Sequence, residues 1–182
     1  RLIAEQMRGR TRKFVAITGL PAYHRGLVKP GEPSLPMPIP ETSEVVSDPN
    51  EGYGYPVARG EEMVLDWHMK GDFDATIVRY TGIYGPYSYV PFEWYWIRRI
   101  RDGRRQILVE GDGLGLPQRA YSENIAQAIL LAATHAKASG QIYNVGDERT
   151  LTMRSLTDLI AQRLGHRWEI VTMPLSLGPS RN

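Results

Sequence analysis

The stretch Arg79-Tyr-Thr-Gly-Ile-Tyr-Gly-Pro86 follows a short apolar run, Asp74-Ala-Thr-Ile-Val-Arg79, and the two together decide how the chain reads. An unalternating apolar run of this length suits a strand buried on both faces of a parallel sheet. Glycine at position 82 permits the backbone beyond the strand to approach a ligand closely. Upstream, a helix is expected from about Tyr55 to Lys70, with Met63, Val64 and Trp67 on one face and Gly71 as its stop. Before that helix lies a second buried strand, Lys13-Phe-Val-Ala-Ile-Thr18, preceded by helical composition over Leu2 to Arg8.

Downstream, strands are expected at Ile107–Val109, Ile142–Val145 and Trp168–Thr172. Helices are expected over Tyr121–Ala138, with Ile125, Ala128, Ile129 and Ala132 as its buried stripe, and over Thr152–Leu164, capped by Thr150 or Thr152. Strands that alternate with helices predict an α/β fold with a mainly parallel sheet. Between Gly19 and Asn50, prolines at 21, 30, 33, 36, 38 and 40 forbid regular helix. A stretch of that length without a period is expected to be a lid or binding loop within one domain.

The bulk numbers exclude several classes. No apolar run reaches the roughly 18 residues of a membrane helix, so no membrane is expected as a partner. With no cysteine among 182 residues, disulfides and thiolate chemistry are excluded and a reducing cytoplasm is the expected compartment. His24, His68, His135 and His166 are scattered without ligand spacing, so no metal site is expected. A net charge of +2 does not call for nucleic acid. Arg98, Arg99, Arg101, Arg104 and Arg105 read as a solvated helix end facing the negative pole of the helix dipole, the alternative being a grip on the phosphates of a nucleotide or nucleic acid.

Four segments, in order, resemble the extended short-chain dehydrogenase/reductases of the NAD-dependent epimerase/dehydratase type. Phe14-Val-Ala-Ile-Thr-Gly-Leu-Pro-Ala-Tyr23 is similar to the family's strand ending in a Ser/Thr pair. Tyr53-Gly-Tyr-Pro-Val-Ala-Arg-Gly-Glu-Glu-Met-Val64 resembles its Tyr-x-x-x-Lys helix, and Arg79 to Pro86 its Arg-Tyr-x-x-Val-Tyr-Gly-Pro. Gly111-Asp-Gly113 with Tyr121 to Ala128 resembles its Gly-Asp-Gly and Tyr-Val-Asp-Asp-x-Ala pair, and Asn144-Val-Gly146 its Tyr-Asn-Val-Gly strand end. The likeness runs over roughly residues 13 to 172.

The resemblance implies the second half of a Rossmann-like doubly wound sheet, about 1–83 and 120–145, with a small substrate-binding part at about 84–119 and 146–182. It implies NAD or NADP as cofactor and redox chemistry (epimerisation, dehydration or reduction) on a sugar nucleotide or other hydroxyl or carbonyl substrate, with a homodimer as the assembly. By resemblance Thr18 would hold the substrate oxygen and Tyr53 or Tyr55 would move the proton. A cation one turn on, Arg59 for Tyr55, lowers a tyrosine's pKa. Ile17, Tyr80, Thr81, Gly82 and Ile83 would meet the cofactor, and Tyr23, His24, Tyr84 and Arg119 the substrate.

The departures are specific. With Tyr53 on the family tyrosine, Val57 takes the lysine's place; with Tyr55 there, Arg59 does, and a planar guanidinium cannot copy lysine's compact ribose contact. Gly19 stands where the catalytic hydroxyl is usual, and Pro117 where the diphosphate-binding arginine is, with Arg119 close by. The Gly-x-x-Gly-x-x-Gly fingerprint, which seats a dinucleotide's pyrophosphate on a helix N-terminus, is absent, and an upstream segment is expected. The alternative is a catalytically decayed relative kept for cofactor sensing, scaffolding or RNA binding.

Overall fold

The computed structural model describes residues 2–23 and 38–174, so His24 lies outside the described residues. The chain divides into two units: Arg1–Thr81 with Glu123–Gly146, and Gly82–Ser122 with Asp147–Asn182.

The first unit is α/β with a parallel, Rossmann-like sheet. A short helix α1 (Leu2–Met7) leads into β1 (Lys13–Gly19), and a 3-10 turn at Leu20–Ala22 follows. Helix α2 (Gly54–Met69) precedes β2 (Asp74–Tyr80). The glycine after α2, Gly71, has φ +80, the left-handed conformation that ends a helix without Cβ strain. Strand β2 runs parallel to β1 on one side and to a late strand, Ile142–Val145, on the other. Its residues alternate between two covered faces: Ala75, Ile77 and Arg79 point one way, Thr76 and Val78 the other, and none is more than 2% exposed. Phe14, Val64, Trp67, Phe73 and Ala75 make the apolar core between α2 and the sheet.

The expected helix over Tyr121–Ala138 is shorter. It runs over Ser122–Thr134 and is followed by a separate 3-10 turn at Ala136–Ala138. The break falls at His135, whose backbone is extended and whose side chain accepts a hydrogen bond from the Lys137 N–H, the kind of local side-chain capture that competes with a helix. Tyr121 is not helical because it belongs to a three-residue strand.

That strand is in the second unit, where β3 (Gly82–Tyr84) pairs in parallel with β5 (Arg119–Tyr121). A second parallel pair joins β4 (Gln106–Glu110) to β7 (Glu169–Met173). The strands expected in one sheet are thus hydrogen-bonded in three groups. Helix α3 (Trp94–Arg101) and α5 (Met153–Arg163) supply Trp96, Ala161 and flanking apolar residues to a core with Ile107, Val109 and Trp168. Thr152 caps α5, its hydroxyl accepting from the Ser155 N–H at 3.1 Å. Helix α4 is the Ser122–Thr134 element and β6 is Ile142–Val145. No helix among the described residues is long and apolar enough to cross a membrane.

Candidate active site

In the first unit, parallel register sets Thr18 beside Arg79 and Arg79 beside Asn144. These are the last turns of three neighbouring strands, at the carboxyl edge where open α/β sheets bind ligands. An arginine ending a buried strand must find an anion, and α2 provides it. Glu61 occupies the helix's buried stripe with Ala58 and Val64. Arg79 and Glu61 side chains are each 3% exposed, and Arg79 Nη2 donates to Glu61 Oε2 at 2.6 Å. Arg79 Nε adds bonds to both carboxylate oxygens at 3.1 and 3.0 Å. The fork is the bidentate arrangement that makes a guanidinium the preferred buried partner of a carboxylate. Burial alone would pull the Arg79 guanidinium down, but the bonds from Glu61 and Tyr23 outweigh it and hold it above its ordinary value.

Thr18 joins this pair: its hydroxyl donates to Glu61 Oε1 at 2.5 Å. A threonine has one proton to give, so its oxygen is left as an acceptor. Arg79 Nη1 donates to the Tyr23 hydroxyl at 2.7 Å, which donates onward to Asn144 Oδ1 at 2.8 Å. Tyr23 is 1% exposed and the Arg79 guanidinium lies 4.6 Å from its ring centre. Asn144 fastens the end of the proline-rich stretch, its Nδ2 donating to Ile39 O at 2.7 Å and its N–H to Glu41 Oε1 at 2.8 Å. Tyr23 and Val45 form an antiparallel bridge nearby.

The tyrosines named from sequence flank this cluster differently. Tyr53 is the N-cap of α2 and 75% exposed. Tyr55 is half-buried with the Arg59 guanidinium 5.9 Å from its ring centre, and Arg59 pairs with Glu62. At roughly 100° per residue, Tyr53 lies about 80° round the helix from Glu61, while Tyr55 and Arg59 lie about 120° and 160° away. The structure therefore brings Thr18 and Tyr23 together through Glu61 and Arg79, and brings Tyr55 to Arg59, but does not join the two groups.

Among the expected cofactor residues, Ile17 is 53% exposed on the face opposite Thr18. Tyr80 ends β2, and Gly19 packs against it: a Cβ on Gly19 would meet Tyr80 O at 3.3 Å and Pro21 Cδ at 3.2 Å. Thr81 is 6% exposed, and its Oγ1 finds no hydrogen-bond partner among the described residues. A buried hydroxyl left unpaired costs about 1–3 kcal/mol, so such an atom marks a place where a bound group fits. A larger open depression, about 580 Å³, lies at the opposite ends of β1 and β2, but Asp72 and Asp74 on its wall are already paired to Arg8 and Lys13.

The second unit holds Gly82, Ile83, Tyr84 and Arg119. Arg119 forms an ion pair with Glu93 and places its guanidinium 5.3 Å from the Tyr84 ring centre. The Tyr84 hydroxyl donates to Asp147 Oδ2 at 2.7 Å, and Asp147 Oδ1 accepts the Tyr121 N–H at 3.0 Å. Burial, with that hydrogen bond and the Asp147 charge, pushes the Tyr84 phenol up to about 12. Tyr84 is therefore a hydrogen-bond donor near neutral pH and not a proton-transfer group. A cavity of about 400 Å³ is lined by Tyr84, Arg119 and Asp147, by Arg149 and Arg163, and by Leu151, Leu156 and Ile160.

Asp147, Arg149 and Arg163 were not singled out from sequence, and Glu61 and Asn144 stood only as members of quoted motifs with no role given. Glu61 had a readable signal, a carboxylate at a buried helical position matched to an arginine at the end of a buried strand. The others meet only through the fold.

Parallel strands whose ends carry Thr18 and the paired Arg79, packed against α2, make the first unit an α/β, Rossmann-like one. The sequence model of the NAD dependent epimerase/dehydratase family matches residues 28–146, and this chain belongs to that family. It is similar to a dTDP-glucose 4,6-dehydratase of Streptomyces niveus, 30% identical over 127 residues, 68% of this chain and 36% of that protein. It is also similar to the chloroplast stem-loop binding protein of 41 kDa b of Arabidopsis thaliana, 32% identical over 90 residues, half of this chain and 24% of that protein. A UDP-glucose 4-epimerase from Thermotoga maritima, solved with UDP-glucose, shares the fold with a TM-score of 0.70 at 24% identity, over 94% of this chain and 53% of that one. The chain thus spans about a third of the dehydratase and half of the epimerase.

Proposed function

We propose that this chain is the second half and substrate-binding part of an NAD(P)-dependent epimerase, dehydratase or reductase acting on a sugar nucleotide or related hydroxyl or carbonyl compound. The observation that carries the proposal is the ordered Thr18, Glu61 and Arg79 cluster at the carboxyl edge of the parallel strands, in a chain of this family. The cofactor's nicotinamide supplies a hydride acceptor or donor when bound. Thr81, whose buried hydroxyl finds no partner among the described residues, Tyr80 and Ile17 would hold it in the first unit. Thr18 has spent its proton on Glu61, so its oxygen would accept a hydrogen bond from a substrate hydroxyl. Tyr53 or Tyr55 would move the proton, Tyr53 being turned nearer to Glu61 and Tyr55 having the cation Arg59 beside it. In the second unit, Tyr84 and Arg119 would bind the substrate at a cavity whose other cations are Arg149 and Arg163 and whose wall is apolar. Tyr23 acts here by holding Arg79.

Val57 in place of a lysine, and the close packing at Gly19, favour a second reading, a member that binds without turnover. The similarity to a stem-loop binding protein belongs with it. Fluorescence titration with NADH and NADPH separates the two, on the protein carrying the upstream segment that the resemblance implies. Saturable binding, with turnover of a nucleoside-diphosphate hexose abolished by Tyr53→Phe or by Tyr55→Phe, is the expected result. Binding without turnover supports the second reading. No binding of either cofactor at millimolar concentration refutes both the redox chemistry and cofactor sensing.

A further inference from the structure

The arginine run at the end of α3 and in the turn after it is not absorbed by any of this chemistry. Between positions 98 and 105 five arginines face one aspartate, a local charge of +4, whereas the whole chain carries +2, so the remaining residues are net −2. The run Arg8, Arg10, Arg12 and Lys13 is as basic, but Arg8 and Lys13 there are paired with Asp72 and Asp74; a cluster of one sign such as that at 98–105 suits an anionic partner.

The helix sorts its side chains. Trp96 is 5% exposed and, with Ile100, packs into the core of the second unit. At roughly 100° per residue Trp94, Tyr95, Arg98 and Arg101 point away from that side, while Arg99 lies on the flank beside Tyr95. Trp94 is 44% exposed and Tyr95 38%. The Arg99 guanidinium lies 3.8 Å from the Tyr95 ring centre and Arg101 5.9 Å from that of Trp94. Tyr87 and Tyr89, just before the helix, are fully exposed. Aromatic rings and cations are thus interleaved on one face, an arrangement that a linear reading of the arginines does not reveal.

We infer that this outer face of α3 binds single-stranded nucleic acid, with arginines on the phosphates and Trp94 and Tyr95 as stacking platforms for bases. Planar rings backed by guanidinium groups take bases of any sequence, and the cations track the backbone. A membrane surface fits less well, because Trp96 and Ile100 on the apolar side of the helix are committed to the core and the exposed rings alternate with cations. A duplex offers phosphates but no open base faces to the rings.

The test is fluorescence anisotropy of the full chain with labelled oligouridylate and oligothymidylate of about 15 nucleotides, a matched duplex, and phosphatidylserine vesicles as a competing surface. For four neutralised phosphates on a single strand, affinity should fall about 50-fold between roughly 50 and 200 mM salt. Arg101→Ala/Arg104→Ala/Arg105→Ala should shrink that loss to about threefold. Trp94→Ala should weaken binding about fivefold or more with the salt slope unchanged. Circular dichroism checks that these surface variants stay folded. Comparison of the RNA and DNA arms tells which single strand is preferred. Equal binding of duplex and single strand with no effect of Trp94→Ala, vesicle binding in place of oligonucleotide binding, or no binding at all at low salt would each overturn the inference. None of these outcomes depends on cofactor binding.

Discussion

Removing Glu61 should damage the first unit more than any substitution on its surface. Its carboxylate accepts from Arg79 Nε, from Arg79 Nη2 and from Thr18 Oγ1. Glu61→Ala leaves the Arg79 guanidinium, 3% exposed, with its bond to Tyr23 as the one remaining among the described residues. An unpaired charge at such a site costs about 3–5 kcal/mol. With a urea dependence of about 2 kcal/mol per molar, that is a fall in midpoint of about 1.5–2.5 M. Arg79→Met should cost a similar amount, because it strands the carboxylate. Glu61→Leu/Arg79→Met should cost clearly less than Glu61→Leu and Arg79→Met added together, since an ion pair exchanged for apolar packing is often close to neutral. Far-ultraviolet circular dichroism during urea unfolding measures all four corners of the cycle. A shift below about 0.5 M for Glu61→Ala, or strictly additive effects, would show that the pair is not the electrostatic centre of this unit.

Two glycines of α2 should respond in opposite directions. A Cβ on Gly54 would stand 2.5 Å from Pro21 O and 2.9 Å from Val46 Cγ2, so Gly54→Ala should destabilise by about 1–3 kcal/mol. Nothing lies within 4 Å of a Cβ on Gly60, and Gly60→Ala should stabilise by about 0.5–1 kcal/mol; thermal melts of both variants decide. Tyr84 makes stability depend on alkaline pH. Its folded value of about 12 exceeds the ordinary 10.0, so its contribution is intact below pH 10 and is lost as pH rises towards 12. The stability gap between the native protein and Tyr84→Phe should therefore narrow across that window, and a gap constant from pH 9 to 12 would contradict the assignment.

Elements with a long period or a bounded apolar run were legible in the sequence. The expected strand at 13–18, the helix ended by Gly71, the strand at 74–79 and the Thr152-capped helix all appear within a residue or two. Strands β3 and β5 were not legible, because three residues carry no period and their pairing joins positions 37 apart in sequence. Of the site, Thr18 was named from the resemblance, yet what its hydroxyl does depends on Glu61, 43 positions away. Arg79 was seen as part of a motif but not as a buried charge in need of a partner. The two faces of α3 likewise stay hidden until Trp96 is known to point inward and Trp94 outward.

The chain of bonds running from Arg79 has a direction. A guanidinium can only donate, so Tyr23 must accept from it and turn its own proton to Asn144. The amide of Asn144 must then present its oxygen to Tyr23, which leaves its nitrogen for the carbonyl of Ile39. A flipped amide would set its oxygen against the carbonyl of Ile39, acceptor against acceptor, and leave the Tyr23 proton without its partner. The polarity of one buried cation is in this way written, two side chains further on, into the way the backbone at Ile39 is fastened.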